Sequence, residues 1–126
     1  MRIFKYKWFH KFAEKEGIAD SELMEIVKQL ENGQYYANLG GNVYKMELAR
    51  KSEGKHGGYR AIVVFKSKFR TFFTYGFPKS KMSNINDKAL KVFKNEAKDH
   101  LSFNDEVINR LLGNNVLVEI LEEKQK

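Results

Sequence analysis

The 126-residue chain contains no cysteine, which excludes disulfide stapling, thiol catalysis and cysteine metal sites together. Its three histidines, His10, His56 and His100, form neither an HxH nor an HExxH spacing, so a zinc site has no support. The longest uninterrupted apolar run is Ala61–Phe65, far short of the roughly 20 residues that a membrane-spanning helix needs. The opening Met1–Trp8 lacks the apolar core of a secretory signal. Asp87, Asp99, Asp105 and Glu106 do not offer a close carboxylate pair from separate strands, which leaves a two-carboxylate glycosidase unsupported. No serine sits in a GxSxG context, and no GxxxxGK[ST] phosphate loop is present. The expectation is one cytoplasmic domain over residues 1–126, without metal or cofactor and with no membrane contact.

What is present is aromatic and basic. Ten Phe, six Tyr and one Trp are too many for a disordered tail. The net charge of +7 is unevenly spread: residues 1–44 are neutral and residues 82–126 carry −1. Residues 45–81 hold ten cations (Lys45, Arg50, Lys51, Lys55, Arg60, Lys66, Lys68, Arg70, Lys79, Lys81) against Glu47 and Glu53. A surplus this concentrated, within a strand-forming segment, implies a surface that faces a polyanion.

The patterning is α+β, with helices segregated from a small central antiparallel sheet. Residues 2–8 read as a short strand entering a helix that carries Trp8, Phe9 and Phe12 on one face and ends near Gly17. A second helix spans about 20–32, capped by Asp20 or Ser21, with Leu23, Ile26, Val27 and Leu30 on its apolar stripe. Tyr35–Gly41 reads as a connection. Strands over 42–50, 59–65 and 70–75, joined by short links, make a meander over about residues 42–76. Ala61–Phe65 is apolar on both faces, so this strand is central. Asn84 or Asn86 caps a helix through about His100, another helix starts near Ser102 or Asn104 and stops at Gly113, and Val116–Leu121 forms an edge strand.

Two clusters carry candidate chemistry. In Gly54-Lys55-His56-Gly57-Gly58-Tyr59-Arg60, backbone amides can approach a phosphate while cations hold its charge. Arg60 opens an otherwise apolar strand, where a long cation must be paired or aimed at a ligand. In Tyr75-Gly76-Phe77-Pro78-Lys79-Ser80-Lys81, aromatics beside paired lysines suit a stacked base and a gripped phosphate. Phe72 and Phe73 read as core, and Phe77 beyond the glycine reads as exposed.

The run Gly57–Phe65, the run Phe72–Ser80 and Asn84-Ile85 resemble the RelE-like toxins of the HigB type, as do Met1–Lys5 and Asn38–Gly41. The resemblance implies a RelE-like, microbial-RNase type fold: a small antiparallel sheet packed against N-terminal helices. It implies a type II toxin that cleaves mRNA on the ribosome without a metal. The ribose 2′-OH would attack the adjacent phosphate to give a 2′,3′-cyclic phosphate. Arg60 matches the family's arginine at the scissile phosphate, and Lys79 lies near its basic residue beyond the third strand. His56 and Lys55 complete the catalytic set, while Lys45, Arg50, Arg70, Tyr75, Phe77 and Lys81 are the RNA-binding set. His56, Lys55 and Tyr75 all remain open as acid or base, because a lysine common in RelE is replaced here by Glu47 and the terminal tyrosine by Ile85. Implied partners are mRNA, the ribosome, a HigA-like antitoxin, and operator DNA through that antitoxin. A ParE-like gyrase poison and a non-catalytic RNA-binding module are the alternatives.

Overall fold

Strand β4 (Tyr59–Lys66) is buried without a break from Tyr59 to Phe65, so it must be covered on both faces and paired on both edges. In the computed structural model, which describes residues 1–48, 58–79 and 86–121, it lies inside a six-stranded sheet. Strands β3 (Val43–Leu48) and β5 (Arg70–Pro78) flank it, both antiparallel. Beyond β3 lies β2 (Ala37–Gly40), within the segment expected to be a connection. Gly40, Gly41 and Asn42, all at positive φ, turn the chain tightly enough to pair β2 with β3.

On the other side, β1 (Arg2–Tyr6) pairs parallel with β5, and β6 (Leu117–Ile120) closes the edge antiparallel to β1. The order is β2-β3-β4-β5-β1-β6. The sheet is therefore mixed and not purely antiparallel as expected. Pairing between segments so distant in sequence leaves no local signal in either of them.

Two helical layers enclose this sheet. Helices α1 (Lys7–Glu16) and α2 (Asp20–Glu31) bury Phe9, Ala13, Leu23, Ile26 and Leu30 against Met46, Ala61, Val63 and Phe73. Trp8, expected on the same face as Phe9 and Phe12, is exposed instead. Gly17 ends α1 in the left-handed conformation. Ala19 takes the N-cap position of α2, and Asp20, an expected cap, pairs with buried Lys5 at 2.8 Å. Helices α3 (Asp87–Ser102) and α4 (Asp105–Gly113) cover the opposite face, over Phe4, Val43, Ile62, Val64 and Phe72. Their caps are Asn86, accepting from the Ala89 N–H at 2.8 Å, and Asn104, accepting from the Val107 N–H at 2.9 Å.

His100 of α3 is buried among Tyr6, Phe72 and Phe103, and its Nδ1 has no hydrogen-bond partner among the described residues. Burial pushes its pKa down to about 4, against a weaker pull upward from Asp99. Between about pH 6.5, the ordinary histidine value, and pH 4, the unfolded chain binds a proton that the folded chain refuses. Stability is therefore lost as pH falls through this window, by up to about 3 kcal/mol from this group. Urea unfolding of wild type and His100→Phe across that range should show the smaller acid loss in the variant. Equal losses would contradict the assignment.

Candidate functional site

Strands β1, β3 and β5 end, and β2, β4 and β6 begin, at one rim of the sheet. Arg60 stands there as the second residue of β4, opposite Glu47 on β3 and Phe77 on β5. Alternation puts its side chain on the α3 face with Ile62 and Val64. It is only 8% exposed, so its charge needs compensation inside the protein. Nη2 donates to Glu47 Oε1 at 3.1 Å, and the guanidinium lies 3.8 Å from the centre of the Tyr36 ring. Its Nε is buried and has no hydrogen-bond partner among the described residues. The fork is thus held on one side, with Nε enclosed by the protein.

Lys79 follows β5 directly. Its backbone N–H donates to the Gly58 carbonyl at 2.9 Å, which fixes the chain beside the start of β4. Its Nζ lies 3.8 Å from Glu47 Oε1, the same oxygen that receives Arg60. Two cations from different strands therefore converge on one anionic oxygen. Lys45, two residues before Glu47 on the same face of β3, places its ammonium 5.7 Å from the Tyr36 ring centre. Glu47, read from the sequence only as a departure from the family pattern, is the residue on which these cations meet. Cross-strand register, invisible from sequence alone, makes it the hub of the cluster.

Tyr75 and Phe77 share this face, but Phe77 is half-buried in the second core cluster and not exposed as expected. The Tyr75 hydroxyl donates to the Glu96 carboxylate, with both oxygens at 3.1 Å, and the ring packs 5.3 Å from Phe93. Burial first, and Glu96 second, push its pKa up to about 12. At neutral pH it is a phenol that can donate a hydrogen bond, and it is unsuited to accepting a proton. Between these residues, Gly76 has no room for a side chain, because a Cβ there would overlap the Phe12 ring of α1.

Arg70 does not join the cluster. It lies at the opposite end of β5, 5% exposed, bonded to the Phe103 carbonyl and, at 3.1 Å, to Asp105. Lys55, His56, Arg50 and Lys81 fall outside the described residues. Helix α3 adds cations that regional charge sums conceal. Lys88, Lys91, Lys94 and Lys98 recur at spacings of three and four along its exposed side, without an ion pair among the described residues. Like charges at these spacings repel, so the row strengthens the positive field of this face.

A six-stranded sheet between helical layers, with a cationic rim centred on Arg60, agrees with a family-level comparison. The model of the RelE toxin of the RelE / RelB toxin–antitoxin system matches residues 1–120. The chain belongs to this family, a family of toxins of type II toxin–antitoxin systems, and an antitoxin is its implied partner. A search of curated proteins returned no match. No helix among the described residues is long and apolar enough to cross a membrane.

The overlap at Gly76 gives a direct test of how the rim is held. Gly76→Ala should cost about 1–3 kcal/mol by displacing Phe12 or the end of β5. The measure is the urea midpoint, and an unchanged midpoint would show that Phe12 moves aside freely.

Proposed function

We propose that this toxin is a metal-independent endoribonuclease of the HigB type that cleaves mRNA on the ribosome and is neutralised by a HigA-like antitoxin. The observation that carries the reading is the convergence of Arg60 and Lys79 on one anionic oxygen, that of Glu47. A phosphodiester oxygen needs the same pair of donors. In the proposed reaction the 2′-oxygen bonds to phosphorus and the bond from phosphorus to the 5′-oxygen breaks. The 2′-hydroxyl proton passes to a base and the leaving 5′-oxygen takes a proton from an acid. The products are a 2′,3′-cyclic phosphate and a 5′-hydroxyl.

Glu47 is the base in this proposal: a phosphodiester that takes over the two cations releases its half-exposed carboxylate beside the reacting group. Tyr75, kept protonated by burial and Glu96, orients and does not take the proton. Lys55 and His56 remain the proposed source of the acid. Arg50, Lys45 and Lys81 are proposed to hold the flanking RNA together with Phe77. The ribosome would present the mRNA in attack geometry, which places part of the rate acceleration in positioning. Operator DNA is reached through the antitoxin.

The test is induced expression in a bacterial host, with growth and mRNA 5′ ends followed together. Wild type should arrest growth and create codon-phased 5′ ends, which disappear when mRNA is stripped of ribosomes. Arg60→Ala should lose cleavage by about 100-fold or more, and Glu47→Gln by about 100- to 10,000-fold. Arrest with intact transcripts would overturn the nuclease reading and point to gyrase. Full cleavage by Glu47→Gln would remove Glu47 as the base.

A further inference from the structure

We infer that Trp8, the chain's only tryptophan, forms a nucleobase-stacking subsite beside the proposed cleavage site, an inference that rests on the RNA reading above. Trp8 is 47% exposed, although it lies in a helix whose neighbouring Phe9 is wholly buried. Its position is nevertheless fixed. The indole N–H donates to the Thr74 carbonyl of β5, and the ring stacks on Tyr6 at 4.6 Å between centres and 13° between planes. Tyr75 lies 6.0 Å away, tilted by only 22°. One large aromatic surface is thereby held rigid while much of it faces solvent.

The location matches the rim. Strand β1 ends at Tyr6, whereas the parallel β5 continues to Pro78, so Trp8 occupies the place beside β5 where β1 has stopped. Arg60 lies on β4, the other neighbour of β5. The two are therefore separated by two strand spacings, about 10 Å, within reach of a nucleotide or two along an RNA strand. Exposed lysines bracket the ring in sequence, while Glu96 approaches it through its hydrogen bond to Tyr75. Lys7 and Lys11 are exposed on either side of it in the chain, and the first turn of α1 has no acidic residue and no side-chain cap. Lysines at a helix N-terminus oppose the helix dipole, which an approaching polyanion would relieve. A rigid exposed ring flanked by cations is the arrangement that binds single-stranded nucleic acid through stacking, independently of sequence.

The inference is tested with a short RNA oligonucleotide carrying 2′-O-methyl riboses throughout, which binds but has no 2′-OH to attack phosphorus. Tryptophan emission reports the ring, and anisotropy of end-labelled RNA reports affinity separately. Emission of the wild type should be quenched in step with binding. Trp8→Phe, which keeps a ring, should bind within about threefold of wild type, and Trp8→Leu about tenfold more weakly. Far-UV circular dichroism checks that both variants fold, and the emission readout of the wild type keeps the test decisive if Trp8→Leu does not. Binding by anisotropy with unchanged emission, or equal affinity of folded Trp8→Leu, would overturn the stacking subsite while leaving the nuclease reading intact. Absence of RNA binding in the wild type would overturn the stacking subsite alone, because the nuclease reading is judged by cleavage on ribosomes.

Discussion

The guanidinium of Arg60 sits in the most apolar strand of the protein, and much of the rim is arranged around making that tolerable. A buried cation is expensive unless it is paired and hydrogen-bonded. Here the compensation comes from three different elements. Glu47 faces it across the β3–β4 register, Tyr36 lies under it from the residue before β2, and Phe77 flanks it on β5. Shifting any one of these strands by a single residue would turn the partner to the opposite face of the sheet. The register of the meander and the position of the charge are therefore one constraint.

A second buried arginine makes the meaning of the first clearer. Arg70, at the far end of β5, donates to the Phe103 carbonyl and to Asp105, tying the sheet to the start of α4. It also lies 4.6 Å from the Phe69 ring centre. Arg70 engages Nη1 with the Phe103 carbonyl and Nη2 with Asp105, whereas Arg60 donates through Nη2 to Glu47 and its buried Nε has no partner among the described residues. Of two arginines with nearly equal burial, one ties the sheet to a helix and the other shares its carboxylate partner with Lys79 at the rim. The helical layers on both faces then keep the rim in place, with Phe12 filling the gap over Gly76 and Phe93 and Glu96 fixing Tyr75.

The helices and the meander were legible in the sequence because their signals are local. Apolar spacing marked α2, Gly17 and Gly113 marked stops, and Asn86 and Asn104 sit in front of their helices where caps belong. The β4 strand announced its central place by being apolar on both faces. What escaped was mostly non-local, the parallel β1–β5 pair and the burial of Arg70, together with β2, a strand of only four residues. In the site, Arg60 stood out because a cation contradicts its strand. Glu47 looked like a departure from the family pattern, and only its position opposite Arg60 and near Lys79 gives it a role. Summing charge by region hid the α3 lysines, since acidic residues elsewhere in 82–126 offset them in the sum.

The central claim is that a phosphodiester takes the place prepared between Arg60 and Lys79 and is opened by its own 2′-hydroxyl. The most direct measurement is end-group analysis of a defined mRNA incubated with programmed ribosomes and the purified toxin. The account predicts a 2′,3′-cyclic phosphate on the upstream fragment and a 5′-hydroxyl on the downstream one. Fragments ending in 3′-hydroxyl and 5′-phosphate, or an mRNA left whole by active toxin, would contradict it.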